Sequence, residues 1–212
     1  MDNTANTKRV IGVDLDDVLS RTGDAMAQFH NATYGTKYKR EEVKTFDLDA
    51  VWNCTPEEAK ERVVEFMTTD FHHDAKVVFG AYDALKKLGE FYDIVIVTGR
   101  NESMRDSTIT WLTKNFLGLY REVHFTGHFD VVESKRRKKS DVVKDIGMSL
   151  FIDDALHFAT DVAGVGVPVL LFDTPWNQGM APNGVTRVFS WEEILFRISK
   201  MEREGWTTAT AQ

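Results

Sequence analysis

Five short apolar runs recur along the chain, and amphipathic stretches fill the spaces between them. The runs are Val10-Ile11-Gly12-Val13, Ile94-Val95-Ile96-Val97, Glu122-Val123-His124-Phe125, Ser149-Leu150-Phe151-Ile152 and Val167-Pro168-Val169-Leu170-Leu171-Phe172. The second is the cleanest and the third the weakest. Most are rich in β-branched residues and continuous rather than alternating, as strands buried on both faces of a parallel sheet are. The stretches 81–88, 103–116, 139–146, 157–165 and 191–201 carry apolar residues at helical spacing, with Gly89 and Gly147 as stops. This β/α alternation predicts an α/β fold, a three-layer doubly wound parallel sheet of Rossmann type.

Residues 20–76 break the alternation. They hold helical patterns and no convincing strand. A helix is expected over 23–34. Thr55-Pro56-Glu57-Glu58 opens another that runs to about Thr68: Thr55 is the N-cap, Pro56 occupies the first position and Glu58 completes a capping box. The whole segment reads as a small all-helical cap inserted after the first strand, with 8–19 and 77–200 forming the core domain. Residues 1–7 and 203–212 read as flexible polar tails.

The 212 residues suffice for one sizeable domain with a small insertion. No apolar run approaches the roughly 20 residues of a membrane span. The polar start has no signal-peptide core. One cysteine, Cys54, cannot form an internal disulfide, so a reducing compartment is expected, with the cytoplasm as default. A net charge of -7 argues against a nucleic-acid polymer as partner. It leaves room for a small anionic substrate, because a bound cation reverses the local field.

Four clusters change the picture from fold to chemistry. Asp14-Leu15-Asp16-Asp17 follows the first run, Thr98-Gly99-Arg100 the second, and Asp153-Asp154 the fourth; Lys139 opens a helical pattern after the basic run 135–138. In open α/β sheets the ligand crevice lies at the carboxyl ends of the strands. Carboxylates converging there repel one another unless a divalent cation intervenes, and hard oxygen donors suit magnesium. Asp14 is then the candidate nucleophile, forming an aspartyl-phosphate. Asp16 is the candidate acid and base for the leaving oxygen and the attacking water. Thr98, Gly99 and Lys139 are placed to hold phosphate oxygens, and Asp153 and Asp154 to hold the metal.

In this order, Asp14-Leu15-Asp16, Thr98, Lys139 and Asp153-Asp154 resemble the four motifs of the haloacid dehalogenase (HAD) superfamily of phosphatases, over roughly residues 9 to 198. The Ile152-Asp153-Asp154 form of the last motif and the closing Phe189-Ser190-Trp191-Glu192-Glu193-Ile194 are similar to the 5′-deoxyribonucleotidase group. The resemblance implies a metal held by Asp14, the Asp16 backbone carbonyl and Asp154. Thr98-Gly99-Arg100 departs from the Thr-Ser-Pro of that group.

A magnesium-dependent phosphomonoester hydrolase is therefore expected, acting on a small phosphorylated metabolite, with a nucleoside 5′-monophosphate the single best guess. A phosphatase or phosphomutase for another metabolite, or a non-catalytic protein of the same fold, are the alternatives. A non-catalytic module has no use for both Asp14 and Asp16. A monomer or a homodimer are both compatible with the sequence. Arg100 either reaches substrate or pairs with a nearby acid. Arg21 is a candidate substrate contact. Phe46 and Trp52 either stack on substrate or form the cap's own core. His72-His73 reads as packing or surface, because adjacent residues point apart and no third metal ligand is near.

Overall fold

The structure, a computed structural model, describes residues 8–45, 47–128 and 136–206. Six parallel strands form one sheet in the order β3-β2-β1-β4-β5-β6. They are β1 (Val10–Val13), β2 (Asp93–Thr98), β3 (Glu122–Phe125), β4 (Leu150–Asp153), β5 (Val169–Phe172) and β6 (Val185–Val188). The first five are the apolar runs of the sequence. The sixth reads as Val-Thr-Arg-Val, with only its outer residues buried. Four residues on a sheet edge carry too little continuous apolar signal to stand out.

Alternation along each strand divides the core into two layers. Ile11, Val13, Ile94, Ile96, Leu150, Ile152, Leu170 and Val188 face helices α5 (Ala81–Gly89), α6 (Arg105–Phe116) and α9 (Trp191–Glu204). Val95, Val97, Phe151, Val169, Leu171 and Val185 face α7 (Lys139–Ile146) and α8 (Leu156–Gly164). Helix α9 runs past the expected end at 201. It takes in Arg203 and Glu204, and Trp206 packs against the first layer with Arg9 over its ring at 5.2 Å. Trp206 is thereby part of the packed core, because its ring finds an apolar seat.

Gly12 sits at the closest approach in the sheet. A Cβ there would lie 2.4 Å from Met148 Sδ and 2.5 Å from Cδ2 of Phe151, whose ring is fully buried. Gly12→Ala is expected to destabilise the fold by about 1–3 kcal/mol through overpacking. A urea titration checks this; an unchanged midpoint would mean that the Phe151 ring moves freely.

Between β1 and α5 the described chain is helical: α1 (Thr22–Tyr34), α2 (Leu48–Trp52), α3 (Pro56–Met67) and α4 (Asp70–His73), with a 3-10 turn at Arg40–Glu42. The Thr55–Glu58 capping box forms as the sequence predicts, with Glu58 N donating to Thr55 Oγ1 at 3.2 Å and Thr55 N to Glu58 Oε2 at 2.8 Å. Ala25, Phe29, Phe66 and Ala75 form a separate small apolar cluster. The chain leaves and returns at one place: Arg21 N donates to Lys76 O at 2.7 Å and Val78 N to Leu19 O at 2.8 Å.

Candidate active site

The sheet register brings the clusters to one edge. Val13 pairs with Ile152 and Ile96, so Asp14, Asp153 and Thr98 emerge together at the carboxyl ends of three neighbouring strands. Asp14 N donates to Ile152 O at 2.9 Å, which ties its backbone to the ladder. One carboxylate oxygen from each of Asp14, Asp153 and Asp154 lies within 4.8 Å of the others, and all three residues are buried.

Lys139, at the first position of α7, enters this group with a side chain only 1% exposed. Its Nζ lies 2.8 Å from Asp14 Oδ1 and 2.7 Å from Asp153 Oδ2. Burial alone would lower its pKa, but the Asp14 and Asp153 carboxylates override this and hold it above the ordinary lysine value. Burial pushes the Asp14 carboxyl up to about 7 against the pull of Lys139, with the Asp153 and Asp16 charges adding to the rise. Asp154 is raised well above the usual carboxylate range, first by burial and then by Asp153, Asp17 and Asp14. One lysine does not offset this much buried negative charge.

These residues fit a hard divalent cation. Both oxygens of Asp153 are already engaged, Oδ2 by Lys139 and Oδ1 by the Ala155 amide at 2.8 Å. Asp154 is held differently: Oδ2 accepts from Trp176 Nε1 at 2.7 Å. The donor chemistry therefore favours Asp14 and Asp154 as direct ligands, with Asp153 positioning Lys139.

Asp16 lies beyond the strand end, where Asp17 adopts a left-handed φ of 56° and the chain turns back, with Leu19 and Ser20 amides donating to Leu15 O. Arg100 meets the Asp16 carboxylate with a fork: Nη2 to Oδ1 at 2.7 Å and Nε to Oδ2 at 3.1 Å. Its remaining arm donates to Thr108 Oγ1 at 3.0 Å, and Thr22 Oγ1 donates to Asp16 Oδ1 at 2.6 Å. Burial opposes the charged form of Asp16, but the Arg100 charge and hydrogen bonds prevail and hold its pKa down to about 2. Of the two sequence alternatives for Arg100, the structure has the pairing with a nearby acid.

Asp17 points to the helical segment. Its Oδ1 lies 3.3 Å from Arg40 Nε, and its Oδ2 accepts from the Gly23 amide at 3.0 Å. Burial nonetheless raises its pKa to about 7, against Arg40. The Arg40 guanidinium also covers the Trp176 ring at 4.7 Å. A chain of contacts therefore runs from the helical segment through Arg40 and Trp176 to Asp154. Trp176 was legible in principle, since it follows the fifth apolar run at the ligand edge. Arg40 was not, because only the fold brings it across 23 residues to Asp17.

Thr98 is fully buried at the end of β2, with its Oγ1 accepting from the Arg100 amide at 3.2 Å, and Gly99 follows it. Two other candidates lie elsewhere. Arg21, the residue before α1, pairs with Asp24 in its first turn at 2.6 Å on a half-exposed surface. Trp52 is buried and stacks on His30 at 4.6 Å, so its ring belongs to the packing of the helical segment. Phe46 lies outside the described residues.

Over residues 8–201 the chain matches the family described as 5′ nucleotidase, deoxy (Pyrimidine), cytosolic type C protein. The protein YqfW of Bacillus subtilis (strain 168) is 24% identical over 186 residues, which are 87% of this chain and 91% of its own. A nucleotidase of Clostridium acetobutylicum is 23% identical over 171 residues, 81% of this chain and 84% of its own. Among solved structures, the HAD-type protein YfnB of Bacillus subtilis, bound to magnesium, superposes with a TM-score of 0.60 at 14% identity, covering 91% of this chain and 99% of that one. Carried by a match that runs from the first strand to the last helix, the chain belongs to this 5′ nucleotidase family of HAD-type phosphohydrolases.

Proposed function

We propose that the protein is a magnesium-dependent hydrolase of nucleoside 5′-monophosphates that works through an aspartyl-phosphate on Asp14. The observation that carries this reading is Asp14 itself: a buried carboxylate on a strand end, ion-paired to a buried lysine beside two further acids. The choice of a nucleotide rests on the family match and on the Clostridium relative.

Asp14 attacks phosphorus as the bond to the leaving oxygen breaks. Thr98, the Gly99 amide and Lys139 hold the phosphoryl oxygens. Asp16 starts as a carboxylate gripped by Arg100, and takes a proton from solvent, to which its side chain is partly open, only when that fork turns to another anion. The phosphoryl group at Thr98 is the anion at hand. Asp16 then protonates the leaving oxygen; water next bonds to phosphorus and gives its proton to Asp16 as the bond from Asp14 to phosphorus breaks, which releases phosphate and frees Asp14. Asp14, Asp154 and the Asp16 carbonyl are the residues that would hold magnesium, which supplies charge neutralisation of the phosphoryl group. Residues 20–76 act as a cap over this site, fastened to the core by Arg40.

Phosphate release from a panel of nucleoside 5′-monophosphates and sugar phosphates, with and without magnesium, tests the reading. Turnover of sugar phosphates alone would reject the nucleotide, and turnover unaffected by EDTA would reject the metal. The same ion has a signature in stability. In metal-free protein, folded Asp14 and Asp17 keep their protons up to about pH 7, whereas in the unfolded chain their carboxyls lose them near 3.8. The folded state then binds more protons than the unfolded one, so stability falls as pH rises from about 4 to about 7. Magnesium at 100 times its Kd is expected to add about 2.7 kcal/mol. For a chain of this size that raises Tm by roughly 5–10 °C. The gain should be largest above pH 7 and small in Asp154→Asn. A shift that is equal in the variant would place the ion elsewhere.

A further inference from the structure

Thr174-Pro175-Trp176-Asn177 follows β5, at the same edge of the sheet as the acids. Asn177 is buried, and its side-chain amide clamps the loop. Nδ2 donates to Asp154 O at 2.6 Å and to Phe172 O at 2.7 Å, and Oδ1 accepts from the Thr174 amide at 3.2 Å. The neighbouring Trp176 is fixed with it. The catalytic scheme gives Trp176 no role, yet its Nε1 donates to Asp154 Oδ2 at 2.7 Å.

The rest of the indole meets the helical segment. The Arg40 guanidinium covers its face at 4.7 Å. Its far edge abuts the start of α1, where a Cβ on Gly23 would lie 3.1 Å from Cη2. The same two residues close on Asp17, through the Gly23 amide at 3.0 Å and Arg40 Nε at 3.3 Å. One ring therefore has its N–H on a candidate metal ligand and its face and far edge on residues of the helical segment.

An indole N–H donates and cannot accept. Given to a carboxylate, it fixes which oxygen is taken and which way the other points. Outer-shell partners of this kind are worth about 10–100-fold in metal affinity. Because Arg40 and Gly23 set where the ring lies, the seating of the helical segment sets the direction of the Asp154 carboxylate. We infer that Trp176 is a positioning residue that couples the seating of the helical segment to magnesium binding at Asp154, an inference that rests on the magnesium site proposed above. The coupling is reciprocal: bound metal favours the seated segment as much as the seated segment favours the metal.

The experiment titrates magnesium chloride into the full, metal-free chain by calorimetry and reads Kd with no substrate present. Trp176→Phe keeps a ring under Arg40 and removes the N–H, so Kd is expected to rise about 10-fold or more. Trp206→Phe, where an arginine also covers an indole, keeps the wild-type Kd. Arg40→Gln separates the ring from the charge. Removing a cation beside these acids tightens magnesium binding if Arg40 acts through its charge alone. Acting through the ring, its loss raises Kd about 5-fold or more. The double variant then binds no more weakly than Trp176→Phe by itself, because both changes break one path.

An unchanged Kd in Trp176→Phe overturns the inference and leaves the magnesium site standing. Unchanged or tighter binding in Arg40→Gln, or additive losses in the double variant, overturns the coupling. A wild type that binds no magnesium removes the proposed site, and the role of Trp176 falls with it. Calorimetry reads stoichiometry apart from Kd, so a loss of folded fraction in a variant does not mimic a change in affinity.

Discussion

Asp14→Asn is expected to lower kcat/KM for phosphomonoester hydrolysis by at least about 10⁴-fold, the scale on which loss of a covalent nucleophile is felt. The amide has nearly the same volume and keeps the place at the strand end, but its oxygen is a poor nucleophile toward phosphorus. Neighbouring groups cannot substitute. Asp153 is committed to Lys139 and the Ala155 amide, and Asp16 is already used as the acid and base of the reaction. Stability should move the other way. Asp14 is buried with a pKa raised to about 7, so at higher pH its charge opposes folding in the absence of metal. Neutralising it therefore keeps or increases the metal-free Tm at pH 8. Phosphate release and a thermal melt check both halves. Activity retained within 10-fold would remove Asp14 from the chemistry, and a large loss of Tm would make it a structural residue instead.

Lys139→Met should have the second largest effect, on both activity and stability. The substitution fills a similar volume but leaves Asp14 and Asp153 without the cation that lies 2.8 and 2.7 Å from them. Breaking a buried pair by removing one partner costs about 3–5 kcal/mol. Removing one electrostatic contact to a transferring group costs about 10²–10³ in kcat. The stability loss should depend on pH. At pH 5 Asp14 retains its proton in the folded state, so less charge is left bare and the loss is smaller than at pH 8. Denaturant midpoints at the two pH values test this. A loss that is the same at both would mean that the lysine acts through packing against Phe151 and Phe158, whose rings lie 5.6 and 4.4 Å from its Nζ.

The candidate site divides by how its residues are connected. Asp14, Thr98 and Asp153 were legible because each follows a buried strand, and parallel strands deliver their carboxyl ends to one edge whatever else the chain does. Lys139 was legible as the start of a helix that must pack on that sheet. The partners that tune these groups were not. Arg100 was legible only as pairing with some acid nearby, not with Asp16 in particular; Arg100 to Asp16, Arg40 to Asp17 and Trp176 to Asp154 join residues 84, 23 and 22 positions apart. No spacing rule links them, because the contacts depend on side-chain direction and on how the helical segment docks. Trp52 shows the same limit from the other side: an exposed platform and a buried stacking partner look alike in one dimension.

Local patterns determined what needs only neighbours along the chain. The period of the apolar runs set five of the six strands, and the Thr55–Glu58 cap set the start of α3, because backbone hydrogen bonding and capping are satisfied within a few residues. The order of the chemical clusters determined the class of reaction. Tertiary structure alone decided the charge state of each acid. Asp14 and Asp16 stand two residues apart, yet one is raised to about 7 and the other lowered to about 2. The difference comes from the depth of burial and from which cation each one meets, and both are fixed only when distant segments pack together.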